Sequence, residues 1–204
     1  FGSFLTHSGA GQFFVDLSYA LAGGRRGGPA KVAVLASAFF GSISGSAVSN
    51  AVTTGTFTIP LMRTVGYRAE FAAAVEAVAS AGGQLMPPIM SATAFVMAEM
   101  TGIPYLQIAS SAIVPSILYF LAVYFMIDLE AKNLRLLAIP KEELPVLRKV
   151  VLKDGHLLLP IVVIIYALVV MQTSPLRAAL LALITIAIVS WVRPWTRMTM
   201  VKIY

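Results

Sequence analysis

The chain has 204 residues, 58% of them hydrophobic and only 12% charged, with a mean hydropathy of +0.85. Soluble domains carry roughly 25% charged residues, so the composition excludes an ordinary water-soluble fold and points to an all-α integral membrane protein. The lack of cysteine excludes disulfide frameworks and thiolate metal sites. The 15 basic against 9 acidic side chains read as the cation bias of cytoplasmic loops, with no nucleic-acid partner expected.

The chain starts at Phe1 inside an apolar stretch, and the expectation is a piece of a longer membrane protein. Residues 1–31 read as an interfacial helix around Phe13, Phe14 and Leu17, followed by a Gly-Gly-Arg-Arg-Gly-Gly-Pro loop at 23–29. Residues 32–62 then form two apolar arms around a polar centre, Ser-Ile-Ser-Gly-Ser-Ala-Val-Ser-Asn at 42–50. Each arm reads as about a dozen residues, roughly 18–20 Å of helix. The hydrocarbon core is about 30 Å thick, so the prediction is a re-entrant helical hairpin with its tip at mid-membrane.

Residues 63–102 are long enough to cross, but Gly-Gly-Gln-Leu-Met-Pro-Pro at 82–88 interrupts them. Two prolines remove two amide donors and clash with the preceding turn. The prediction is a discontinuous transmembrane helix. Residues 103–127 read as a plain spanning helix, with Pro104 near its start and Pro115 as a kink. A charged amphipathic linker at 128–155 follows, then a transmembrane pair at 156–193 and a basic interfacial tail at 194–204.

This order makes a topology test. Arg25, Arg26, Lys31, Arg63, Arg68, the six linker cations, Arg193, Arg197 and Lys202 fall on one side, and Arg177 alone on the other. That asymmetry places the cation-rich side in the cytoplasm.

Unwound backbone within a membrane leaves carbonyls and amides without intrahelical partners, and paired interruptions of this kind form ion and substrate sites in secondary transporters. Candidate cation ligands are Ser44, Gly45, Ser46, Asn50 and Thr53 at the hairpin tip, with Gly82, Gly83, Gln84 and Pro87 at the break. Ser49, Thr54, Pro88 and Ser91 are candidate substrate-facing residues. An oxygen-only, weakly charged set suits Na⁺ rather than a transition metal. Close helix packing of small residues is the competing account of the same glycines and serines.

Glu76 is a carboxylate two turns into an apolar helix, which is costly unless it faces a polar interior. It reads either as a coupling-ion or proton-sensitive group, or as a structural residue bonded to Ser, Thr or Arg of a neighbour. His7 and His156 stand isolated. No nucleophile–base pair, metal-ligand cluster or phosphate loop is legible, so no enzyme and no cofactor beyond a coupling Na⁺ is expected.

Several motifs occur together in order: Phe-Gly-Ser-Ile-Ser-Gly-Ser-Ala at 40–47, Ile-Pro-Leu-Met at 59–62, Gly66-Tyr67, Phe-Ala-Ala-Ala-Val at 71–75 and Gly-Gly-Gln-Leu-Met-Pro-Pro at 82–88. The combination resembles the large membrane subunit of TRAP transporters, the tripartite ATP-independent periplasmic family. With Met-Ala-Glu at 97–99 and Gly-Ile-Pro-Tyr at 102–105, it is most similar to the fused permeases of the TAXI branch. The resemblance implies a multi-pass permease of the bacterial or archaeal inner membrane. Its expected activity is Na⁺-driven, elevator-type import of organic acids delivered by a periplasmic solute-binding protein. It implies a small membrane subunit or fused equivalent as partner, and a second, inverted repeat as the remaining half of the permease. Many relatives carry a serine after the two prolines, where this chain has Ile89-Met90, leaving Ser91 or Thr93 to supply an oxygen. The alternatives are an ion-coupled carboxylate transporter or antiporter of another hairpin-containing family, and a non-transporting membrane assembly subunit.

Overall fold

The computed structural model describes residues 9–136, 138–140, 142 and 144–190, and all regular structure among them is helical. Helix α1, Ala10–Ala22, is followed by the hairpin arms α2, Gly28–Ser44, and α3, Ala47–Thr64. The arms have 17 and 18 residues, or about 26 and 27 Å of rise. Both exceed the dozen residues read from the sequence. Gly28 and Pro29 open α2 instead of closing a loop, as proline at a first helical turn readily does, and α3 continues through Pro60. Each arm nearly matches the hydrocarbon thickness of about 30 Å, so arm length no longer argues for re-entrance.

The chain then runs through α4, Ala69–Gly82, a 3₁₀ turn at Gly83–Leu85, and α5, Ala92–Thr101. The break falls where the Gly-Gly and Pro-Pro pairs put it, and the Pro87–Pro88 bond is cis. Helix α6, Tyr105–Asn133, is a continuous 29 residues and keeps Pro115 inside it. It extends six residues beyond the predicted end at 127, carrying Asp128, Glu130 and Lys132 into what reads in the sequence as linker. Helix α7, Leu147–Asp154, is the amphipathic helix of the linker; α8, Leu159–Val169, and α9, Pro175–Ser190, form the final pair. The predicted basic tail at 194–204, together with His7, Lys141, Arg193, Arg197 and Lys202, lies outside the described residues.

Two segments, Tyr105–Asn133 and Leu147–Val169, are long and apolar enough to cross a membrane. Their side chains open outward: Val114, Leu118, Phe125 and Met126 on α6, and Val162, Tyr166 and Val170 around α8, are exposed. Helices that are apolar on all sides and unburied are suited to lipid or to neighbouring transmembrane helices.

Packing centres on the hairpin. Phe14 of α1 is fully buried and meets Phe39 and Phe40 of α2 at ring-centroid distances of 6.2 and 6.5 Å. The sequence-predicted interfacial helix is therefore clamped onto the hairpin. On the other side, Val34 and Ala38 of α2 join Val75 and Ala79 of α4 and Phe120 and Ile127 of α6 in one apolar cluster. Lys31, in the first turn of α2 and only 3% exposed, is paired with Asp128 of α6. Its ammonium also lies 4.7 Å from the centre of the Tyr124 ring, while Arg25 reaches the Tyr124 hydroxyl at 3.0 Å. The start of the hairpin and the far end of α6 thus share one end of the molecule.

Candidate functional site

The hairpin tip is a two-residue interruption. Gly45 ends α2 with φ +62°, a left-handed conformation that glycine adopts without penalty, and its amide donates to the Gly41 carbonyl at 3.0 Å. Ser46 caps α3, its hydroxyl accepting from the Ser49 amide at 3.3 Å. The interrupted stretch after α4 lies against this tip. A side chain on Gly83 would meet Asn50 Nδ2 at 2.7 Å and the Gly41 Cα at 2.9 Å, so two backbones touch where neither residue carries a Cβ. Further along, the Ile89 amide donates to the Ser42 carbonyl at 3.1 Å, and the Met90 carbonyl abuts Gly45. The two interruptions form one unit.

Carbonyls of the break, and that of Val78 within α4, have hydroxyls of α6 against them. The Ser116 hydroxyl reaches the Leu85 carbonyl at 2.6 Å, Tyr105 reaches the Pro88 carbonyl at 2.9 Å and also that of Ile89, and Tyr119 reaches the Val78 carbonyl at 2.9 Å. Ser116 is equally close, 2.6 Å, to the Ala112 carbonyl of its own helix. Ser116→Ala removes the one hydroxyl proton that the Leu85 and Ala112 carbonyls share. The expected cost is about 1–3 kcal/mol, read as a lower Tm of the detergent-solubilised protein, with Ser110→Ala as the exposed-serine control.

One turn and more below the tip, the hairpin encloses a carboxylate. Glu76 of α4 is 2% exposed. Its Oε1 lies 2.5 Å from Thr54 Oγ1, 3.1 Å from Ser80 Oγ and 3.3 Å from Ser37 Oγ, and its Oε2 contacts the Thr58 hydroxyl. These residues come from three helices, Ser37 from α2, Thr54 and Thr58 from α3, Ser80 from α4. Asn50 joins them: its Nδ2 donates to the Ser37 carbonyl at 2.9 Å, and its carbonyl oxygen lies 2.8 Å from Thr54 Oγ1. No cation pairs with Glu76 among the described residues.

The predicted ligands divide by position. Asn50, Thr53 and Thr54 are buried in the hairpin interior, and Gly82 and Gly83 are buried in the helix crossing, Gly82 against Tyr119 and Phe120. Ser44 places its Oγ in a buried position with no hydrogen-bond partner. Gln84, Pro87 and Pro88 are half-buried along the break, Ser49 is half-buried, and Ser46 is exposed. Ser91 stands at the N-terminus of α5 without a capping hydrogen bond there, its hydroxyl bonded to Thr93 at 2.6 Å. Sequence reading missed Ser37, Thr58, Ser80 and Ser116. Thr54 and Thr58, like Glu76 and Ser80, are spaced by four, which stacks side chains on one helix face, and that spacing was the available signal.

The whole chain, residues 1–204, matches the family described as the DctM component of the tripartite ATP-independent periplasmic transporters. The chain belongs to this TRAP transporter family. It is similar to the C4-dicarboxylate TRAP transporter large permease protein DctM of Pseudomonas aeruginosa, with 32% identity over 143 residues. That alignment covers 70% of this chain and 33% of the relative. It is also similar to the protein of the same name from Rhodobacter capsulatus, 34% identical over 87 residues, covering 43% of this chain and 20% of the relative. The chain thus spans about a third or less of the length of these TRAP permeases.

Proposed function

We propose that this chain is part of a TRAP permease of the inner membrane that imports organic acids, C4-dicarboxylates being the class named in its relatives, with Na⁺ as the coupling ion. In this reading a periplasmic solute-binding protein delivers the substrate. A small membrane subunit or fused equivalent, and an inverted second repeat with its own hairpin, complete an elevator-type transporter. The Gly-Gln-Leu-Met-Pro-Pro form at 83–88 favours a TAXI-type fused permease. The observation that carries the reading is the contact of hairpin tip and helix break, through Gly41 with Gly83 and Ile89 with Ser42, in a chain of this family.

The proposed cation ligands are drawn from Ser44, Gly45, Ser46, Asn50, Thr53, Gly82, Gly83, Gln84 and Pro87. The unpartnered Ser44 hydroxyl fits a cation at the C-terminal end of α2, where helix carbonyls concentrate partial negative charge. Ser49, Thr54, Pro88 and Ser91 are proposed to face the substrate. The hydroxyl of Thr54 is already engaged by Glu76 and Asn50, so its part would be indirect.

The test is uptake into proteoliposomes holding the complete permease, with its binding protein outside and an inward Na⁺ gradient. Uptake that ignores Na⁺ sinks the coupling assignment. Ser44→Ala is expected to raise the Na⁺ concentration for half-maximal uptake by about tenfold, the loss of one hydrogen-bond-sized interaction of roughly 1.4 kcal/mol. An unchanged Na⁺ dependence removes Ser44 from the ligand set.

A further inference from the structure

The arrangement around Glu76 contains more oxygen atoms than hydrogens to separate them. Thr54 Oγ1 lies 2.8 Å from the Asn50 carbonyl oxygen, 3.3 Å from Asn50 Oδ1 and 2.5 Å from Glu76 Oε1. All three are acceptors, and the hydroxyl has one proton to offer. Thr58 repeats the conflict, between the Thr54 carbonyl at 3.0 Å and Glu76 Oε2. A helical threonine ordinarily gives its proton to the carbonyl four residues back, and both threonines are placed to do so. With its own proton on the Thr54 carbonyl, Thr58 needs a hydrogen from the carboxyl side at Oε2, while Thr54 can donate to Oε1.

A metal ion does not fill that role here. Thr54 Oγ1 and Glu76 Oε1 are 2.5 Å apart, and Thr58 contacts Oε2 directly, so the oxygens meet with no gap for an ion between them. Glu76 is buried with no cation paired to it among the described residues, and a carboxyl group so placed costs less to hold neutral than charged. We propose that Glu76 is a proton-binding site: its Oε2 holds a carboxylic acid proton that is donated to Thr58, with Ser37 and Ser80 donating to Oε1. Loss of the proton converts the site to a carboxylate, and Thr58 must then turn from the Thr54 carbonyl to solvate it. Proton occupancy is thereby coupled to the backbone of α3 and to the seam between the hairpin and α4.

The charged groups of the surrounding elements leave this site to the hydroxyls. On α2, Lys31 is bound to Asp128 of α6. On α3, Arg63 is exposed in the last turn; on α4, Glu70 is exposed in the first turn beside Arg68. The 3₁₀ turn Gly83–Leu85 carries no charge, and on α6 Glu130 and Lys132 lie with Asp128 at the far end. The Tyr119 hydroxyl is bound to the Val78 carbonyl.

This proposal stands apart from Na⁺ coupling and is tested without transport. Infrared spectra of the intact permease in lipid distinguish a carboxylic acid carbonyl from a carboxylate. The expected result at neutral pH is one acid-carbonyl band that is absent in Glu76→Gln and shifts in Thr58→Val, where its hydrogen-bond partner is gone. A wild-type spectrum at neutral pH identical in this region to that of Glu76→Gln overturns the proposal. If Glu76→Gln does not fold, an acid band that Thr58→Val leaves unmoved overturns it equally. Failure of the Na⁺ gradient to drive uptake would not change either outcome.

Discussion

Gly83→Ala is expected to cost the protein about 3 kcal/mol, and most of the uptake of the permease proposed above, at the upper range of overpacking penalties because the obstructing atoms cannot swing aside. The added methyl would sit 2.7 Å from Asn50 Nδ2, 2.9 Å from the Gly41 Cα and 3.1 Å from the Ser37 carbonyl oxygen. The second and third of these are backbone, so α2 must move away from the 3₁₀ turn. Asn50 must also give up its 2.9 Å bond to the Ser37 carbonyl. Gly102→Ala supplies the contrast. Gly102 has nothing within 4 Å of an added Cβ but holds φ at +70°, so its replacement costs only the left-handed strain, roughly 1–2 kcal/mol. Thermal unfolding of the two variants, followed by circular dichroism in the same detergent, should separate them clearly. Equal midpoints would mean that the crossing of α2 and the break is looser than its geometry indicates.

Glu76 is the second position where a large effect is expected, and here the sign depends on the substituent. Glu76→Gln keeps the size and supplies donors to the threonine oxygens, so its stability should stay within about 1 kcal/mol of wild type. Glu76→Ala removes the group that four hydroxyls surround and leaves a cavity among α2, α3 and α4. The combined expectation is a loss of about 2–4 kcal/mol. Midpoints of thermal unfolding decide between these outcomes. A Glu76→Gln protein as unstable as Glu76→Ala would mean that a negative charge, rather than a hydrogen-bonding shape, holds the site together.

The elements that announced themselves in the sequence did so through backbone chemistry. Gly82-Gly83 and Pro87-Pro88 forced a break, and Gly45 among serines forced a tip, because those residues cannot continue a helix cheaply. The partnership of tip and break followed from the same logic, and the crossing at Gly41 and Gly83 has that form. Helix ends were harder to read. Pro29 looked like the close of a loop and is the first turn of α2, and Asp128 looked like the start of a linker and is held within α6 by Lys31. The first reflects a local ambiguity, since proline suits a loop and a first helical turn alike; the second comes from a tertiary contact that local composition does not encode.

The environment of Glu76 was legible only in part. Its burial was expected, and bonding to serine and threonine was one of the two roles foreseen, but Ser37, Thr58 and Ser80 were not singled out. They lie on three different helices, and only the folded hairpin brings their faces together. Likewise, the freed carbonyls of the break were read as available to ions. Those of Leu85, Pro88 and Ile89 lie against hydroxyls of α6, from Ser116 and Tyr105, 16 to 31 residues later.

That engagement also defines what can move with what. Tyr105, Ser116 and Tyr119 are distributed along α6, and their acceptors lie along the broken helix from Val78 to Ile89. Sliding one past the other would strip several backbone carbonyls of their donors in a single step, within a setting that has little water to replace them. The spanning helix and the interrupted one therefore travel as a single rigid part. In the permease proposed above, a disulfide engineered between them should leave uptake intact.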